Sequence, residues 1–596
     1  MQDVKIPGTM PVEAGRLRRG ATILLFACGL ALSACAAEVV PPSVATADNA
    51  RTAIPLRMGG IQLASASGRY LAGRHARRTR DFGSAADFLS DALTLDAANQ
   101  RIRRQIFFAL VASGRMEEAI KAARIVVAAN KDASTANLAI AIDDLRAGRY
   151  AKAAKRLSAL PRRGMNNFTS PLLLGWTEAA QGNPDKAIAA IEGLSKVPSL
   201  AVLHHLHSGY ILEMAGRKAD AEAAFIAAGK KNQSLRVVQA HGQFLERVGR
   251  ADEAKALYDA LLVKAPGTAS IEAALVRIAD KRQPPPLVGN PSEGIAEVFF
   301  NLAGTLAQGR SVDLALVYGR FALHMRPDFP IARVLIAGLL ESLKRREDAI
   351  AMYNSVKPDS ALFWSSRLRK AAALDDLGRT DEAVAELRRM VAERPGDPEA
   401  AVRLGDMFRA KDRFDEAIAG YSDAIKRSGK LERQHWSLLY ARGIAYERAK
   451  RWPDAEADFL QALKLSPEQP YVLNYLGYSW VDQGLHLDKA QGMIRRAVKL
   501  RPNDGYIVDS LGWVLYRLGE YSGAAKQLER AVVLRPEDPT INDHLGDAYW
   551  RVGRLLEARF QWRRALSLKP EAAEIPKIEQ KLRQGLAANS GTDERG

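Results

Sequence analysis

Small apolar residues recur along this chain at fixed steps, with larger apolar residues between them. Alanine stands at Ala85, Ala119, Ala153, Ala187, Ala221 and Ala254, and again at Ala315, Ala349, Ala383, Ala417, Ala455, Ala490, Ala524 and Ala558. The steps are 33 or 34 residues up to Ala254, then 61, then 34 to 38. A second ladder keeps phase with the first: Gly405, Gly443, Gly512 and Gly546 lie twelve residues before their alanine, and Gly477 thirteen before its own. Leu404, Leu476, Leu511 and Leu545 each precede one of these glycines. Seven residues after the alanine come Ala424, Ala462, Ala497, Ala531 and Ala565; twelve after it come Pro395, Pro467, Pro502, Pro536 and Pro570. The pattern predicts two helices per step. Small residues sit where the helices cross, Leu511, Leu528 and Tyr549 fill the spaces between, and proline ends the second helix because it cannot continue the hydrogen-bond ladder. A unit of about 34 residues cannot bury its own apolar face, so neighbours must stack.

This period and these positions resemble the tetratricopeptide repeat (TPR) family. The resemblance covers roughly residues 67 to 572 and is strongest from Asp397 onward; the tryptophan usual in the first helix is replaced, as by Val508 and Asn542. It implies an all-α fold, a TPR superhelix (α-solenoid) of about fourteen helix-turn-helix units. The 61-residue step holds one helix-like stretch, Ala269 to Arg282, and then Gln283-Pro284-Pro285-Pro286, which cannot be helical. The expected organisation is an N-terminal array over 67–282, a Pro-rich linker over 283–291 and a C-terminal array over 292–572. The longer step between Ala417 and Ala455 predicts an extended turn around Ser428-Gly429-Lys430. Residues Glu571 to Leu586 read as a capping helix, within a terminal segment 573–596 that ends in a tail.

The first 34 residues read as an address. Arg16, Arg18 and Arg19 precede the apolar run Ala21 to Leu32, which is shorter than the ~20 residues a spanning helix needs. Leu32-Ser33-Ala34-Cys35 resembles a bacterial lipobox. The resemblance implies a signal peptide over 1–34, diacylglyceryl attachment at Cys35 and acylation of the new N-terminus. Ala36 rather than Asp after the cysteine points to the outer membrane, with the protein facing the periplasm. Residues 35–66, with Pro41, Pro42 and Pro55, read as a lipid-anchored flexible tether.

Composition narrows the function. Two cysteines in 596 residues exclude a disulfide scaffold and any Cys-rich metal module, and cleavage before Cys35 removes Cys28. Glycine-rich phosphate loops, a G-x-S-x-G elbow and an HExxH pair are all missing from the sequence. His204 and His207 share a helical face but have no cysteine nearby, and are read as packing or solvated side chains. The expectation is no enzyme, no cofactor and no metal. The chain carries a net +18, of which residues 36–282 hold +12, with clusters at Arg74, Arg77, Arg78 and Arg80 and at Arg101, Arg103 and Arg104. Acidic polysaccharide or lipid headgroups are candidate partners for that charge; nucleic acid is not, since no nucleic-acid motif is present.

In TPR proteins the concave groove is lined by first-helix positions at −6, −3, +1, +4 and +5 from the small residue. Here these are Tyr471, Asn474, Tyr478, Val481 and Asp482 around Gly477; Tyr506, Asp509, Trp513, Tyr516 and Arg517 around Gly512; and Thr540, Asp543, Asp547, Trp550 and Arg551 around Gly546. Aromatic anchors beside hydrogen-bonding groups are what binding surfaces use. Some family members clamp a peptide carboxylate with Lys and Asn at such positions; Asp509, Asp543 and Asp547 would repel one. The expected function is a non-enzymatic scaffold that recruits envelope proteins through this groove. The alternative is a polysaccharide-associated periplasmic module supporting exopolysaccharide export.

Overall fold

A computed structural model describes residues 65–587 except 95 and 310. The signal segment, Cys35, the tether up to residue 64 and the tail from 588 lie outside the described residues. Thirty α-helices and two short 3-10 turns make up the regular structure, with no strand among the described residues. The fold class is the one the ladders imply: all-α, built from consecutive helix pairs.

Each ladder position has its steric role. All fourteen period-setting alanines, from Ala85 to Ala558, are fully buried, as are Ala424, Ala462, Ala497, Ala531 and Ala565. The side chain four residues after the alanine lies against the glycine of the first helix: Leu528 on Gly512, Trp562 on Gly546, Tyr421 on Gly405 and Phe459 on Gly443. Between the two helices the chain reverses through a left-handed residue, as at Gly519 and Gly553 (both φ +83°), where glycine avoids the Cβ penalty. An arginine commonly follows this turn residue and forks onto the acid three residues later and onto an earlier repeat. Arg115 reaches Glu118 and Asp87, Arg217 reaches Asp220 and Asp185, and Arg250 reaches Glu253 and Glu222. These pairs are exposed and therefore weak singly, but they repeat at the period and tie neighbouring units in register.

The chain divides into two compact units between Thr380 and Asp381. The second unit is a plain stack of pairs: Glu399–Arg409 with Phe414–Ser428, Trp436–Arg448 with Trp452–Leu465, Pro470–Asp482 with Leu487–Leu500, Gly505–Arg517 with Tyr521–Leu534, and Pro539–Arg551 with Leu555–Ser567. Helix Ile575–Gln584 follows the last pair. The longer step before Ala455 is taken up by Gly429 (φ +62°) and a short 3-10 turn at Arg433–His435.

The first unit departs from the two-array expectation. Residues 283–290 are indeed non-helical, yet they do not separate two bodies. The chain turns back, so that helix Pro291–Gln308 packs on Asn166–Ala180 and Ala201–Met214, and Val312–Met325 packs on Gln100–Ser113 and Ser134–Arg146. Gly294 lies against the Trp176 indole, Thr169 Oγ1 is 3.4 Å from the Tyr318 hydroxyl, and Arg320 Nε donates to the Ala112 carbonyl at 3.2 Å. Glu297, wholly buried, is held by the guanidinium of Arg236. One hydrophobic core therefore runs from Ala76 to Ala332. Three prolines make an extended strap, and the strap lets later helices cover the first-helix face of earlier repeats. His207, read as a packing residue, accepts a hydrogen bond from Trp176 Nε1 at 3.1 Å, and burial pushes its pKa down to about 3.

Candidate partner-binding groove

The predicted groove belongs to the second unit, on helices Pro470–Asp482, Gly505–Arg517 and Pro539–Arg551. Side-chain caps fix where these helices start: Asp504 Oδ1 accepts from the Tyr506 and Ile507 amides, and Asp538 Oδ1 from those of Thr540 and Ile541. The fifteen named residues then divide by position. Those at −3 and +1 face the adjacent repeat and are mostly buried. Asn474 donates from Nδ2 to Ser510 Oγ at 3.2 Å; Tyr478 is 7% exposed, and burial raises its pKa well above the ordinary value. Asp509 pairs with the Nδ1 of buried His544 at 3.0 Å, and Asp547 accepts from Trp562 Nε1 at 2.9 Å. Asn474 and Asp509 thus join neighbouring first helices, Asp547 bonds to the second helix of its own pair and Tyr478 is buried, so none of the four is free groove surface. Burial opposes a charge on His544, but Asp509 together with Asp543 and Asp547 outweighs it and holds the imidazole pKa above its ordinary value.

Positions −6, +4 and +5, with Trp513 at +1, stay half-buried or exposed, except for Val481, which is buried. Trp513 is stacked between Tyr516 (5.0 Å, 9°) and His544 (4.1 Å, 17°). Arg517 donates to Asp482 at 3.1 Å. Tyr471 and Tyr506 each lie under an arginine, Arg501 at 5.9 Å and Arg535 at 5.1 Å.

The far end is occupied by the chain itself. Lys581, on the terminal helix, donates to Asp543 at 2.7 Å and to Asp547 at 2.8 Å. Gly585 sits on the Trp550 ring, and Arg551 Nη1 donates to the Ala587 carbonyl at 2.8 Å. Asp543 and Asp547 are thus neutralised from within and do not confront a ligand, while Trp550 and Arg551 are partly covered. Sequence reasoning missed His544, Lys581 and Trp562. Two aspartates four residues apart on one helix face were the available signal for Lys581, since such a pair, once buried, requires a cation.

The geometry defines an all-α array of stacked helix pairs with an aromatic and charged face. Tetratricopeptide-repeat models match residues 172–234, 368–432, 436–469 and 512–553. Over 194 residues the chain is 28% identical to the TPR repeat-containing protein PA4667 of Pseudomonas aeruginosa, covering 32% of each chain. It is 26% identical over 205 residues to human tetratricopeptide repeat protein 13, covering 34% of this chain and 23% of that one. The match thus spans less than a third of the length of these curated relatives. Among solved structures, the APC/C hetero-tetramer Cut9–Hcn1 aligns over 88% of this chain and 97% of its own, with 14% identity and a TM-score of 0.36. Tetratricopeptide repeats are therefore present in this protein, and such repeats generally act as non-enzymatic mediators of protein–protein interaction.

Proposed function

We propose that this protein is a non-enzymatic scaffold, held at the bacterial outer membrane on the periplasmic side by lipid on Cys35, that docks envelope proteins through the groove of its second unit. The observation that carries the docking reading is the rigid stack of Trp513 between Tyr516 and His544, beside Arg517. An aromatic already fixed by its neighbours loses little rotamer freedom on binding, which is what favours such residues as anchors. The lipobox-like Leu32-Ser33-Ala34-Cys35 supports the address.

The test is in-cell crosslinking and capture from detergent-solubilised membranes, comparing the parent with a Trp513→Ala/Arg517→Ala variant. Envelope proteins captured by the parent and lost from the variant are the expected result. An identical set from both would remove the groove from the function. Recovery of polysaccharide alone would shift the reading to exopolysaccharide export.

A further inference from the structure

Arg74, Arg77 and Arg78 stand apart from the arginines of the turns. In those turns an arginine commonly grips one or two carboxylates, whereas these three have no carboxylate partner among the described residues. With Arg80 they line a cleft of about 480 Å³ in the first unit. Its floor is apolar: Phe82, 4% exposed, meets Phe108 edge-on at 5.9 Å, and Leu314 comes from the helix that folds back. Asp313 is the only acid in the lining. It lies 3.0 Å from Arg80 Nε, but neither atom of that contact is aligned as a hydrogen bond, so both stay buried and unsatisfied. Arg104 and Arg101 lie one and two turns before Phe108 on the same helix face, also without a carboxylate partner among the described residues.

A merely solvated basic face needs neither a cleft nor an aromatic floor. Guanidinium groups around an apolar base match an amphiphile with an anionic head. The planar fork takes two phosphate oxygens at once, and the rings cover the carbon beneath them. We propose that this cleft binds the phosphate headgroup of an anionic phospholipid. A free phosphate ester offers the same chemistry. The bilayer is favoured because the cleft lies on the first described helix, which begins at Ala66, 31 positions after Cys35 in the sequence. That proximity rests on the lipid-anchor reading; the site itself does not.

The full-length Cys35→Ser chain, which carries no lipid, is mixed with phosphatidylcholine vesicles with and without phosphatidylglycerol. Residues 1–34 remain in this chain, so the readout is the difference between it and its variants. The Arg74→Lys/Arg77→Lys/Arg78→Lys variant, which keeps the charge but loses the fork, is expected to bind phosphatidylglycerol vesicles about tenfold more weakly. Phe108→Ala is expected to weaken binding as well, with circular dichroism checking that both variants fold. Glycerophosphoglycerol, the headgroup without its acyl chains, is expected to compete. Competition-grade binding of glycerophosphoglycerol with no vesicle difference would overturn the lipid assignment in favour of a soluble phosphate ester. Equal vesicle binding by the lysine variant and its parent would overturn the cleft altogether, leaving only diffuse charge. Neither outcome depends on where the protein fractionates in cells, so failure of the anchor reading is told apart.

Discussion

A Cβ on Gly512 would lie 2.5 Å from Leu528 Cγ, and one on Gly546 would lie 2.5 Å from the Trp562 ring, well inside van der Waals contact. Leucine at either position must therefore push the second helix away, at an expected cost of about 1–3 kcal/mol. Thermal or urea denaturation of Gly512→Leu and Gly546→Leu checks this; an unchanged midpoint would contradict the assigned crossing points. His544 makes a pH prediction at the same scale. Its folded pKa is above the unfolded value of about 6.5, so the fold favours the protonated ring. That contribution is fully present below about pH 6.5 and is lost as pH rises through the raised folded value. The denaturation midpoint should therefore fall as pH rises above about 6.5 and through the raised folded value, and the fall should be smaller in His544→Gln.

Two elements owe their position to single buried cations. Helix Pro291–Gln308 is tied to an earlier repeat by Arg236 and Glu297, whose side chains are 12% and 0% exposed. Removing one partner strands a buried charge, so Arg236→Ala is expected to destabilise the first unit by about 3–5 kcal/mol. The double change Arg236→Met/Glu297→Leu, which leaves no stranded charge, should recover most of that loss in the same denaturation assay. The terminal helix depends likewise on Lys581. Burial, followed by repulsion from Asp547, raises the Asp543 pKa, and without the ammonium group two carboxylates would face each other across one helical turn. Lys581→Ala is expected to deprotect residues 575–587 in hydrogen exchange while helix Pro539–Arg551 keeps its protection.

For the molecule as a whole the open question of address turns on acyl-chain arithmetic. One acyl chain gives marginal, reversible membrane binding, while two or more hold a protein stably. Diacylglyceryl attachment at Cys35 with N-acylation would supply enough, and no described helix is long and apolar enough to cross a membrane. With residues 1–34 exchanged for a leader that is cleaved without lipidation, Cys35→Ser is expected to move the protein from the salt-washed membrane pellet to the soluble periplasmic fraction. Retention in the pellet would contradict lipid attachment as the anchor. The excess positive charge before residue 283 bears on the membrane as a long-range attraction that salt screens, and it does not replace the acyl chains.

The all-α class, the period and the buried alanines were legible in the chain because a close helix crossing tolerates only small side chains. That constraint leaves a mark at fixed spacing from Ala85 to Ala558. The non-helical stretch from Gln283 was legible for an equally local reason, since three consecutive prolines cannot be helical, although the helix before it ends at Ala279 rather than Arg282. Where that stretch leads was not. Contacts such as Gly294 with Trp176 and Arg236 with Glu297 join residues more than sixty positions apart, and no periodic pattern encodes them. Within the groove, helical spacing put Asp509 and Trp513 on one face but could not say that Asp509 turns to His544 of the next repeat. Nor could it say that Lys581 closes on Asp543 and Asp547. Local sterics, repeated, determined the helix pairs; the division at Thr380, the fold-back of the first unit and the free portion of the groove were decided only when distant helices competed for the same buried surface.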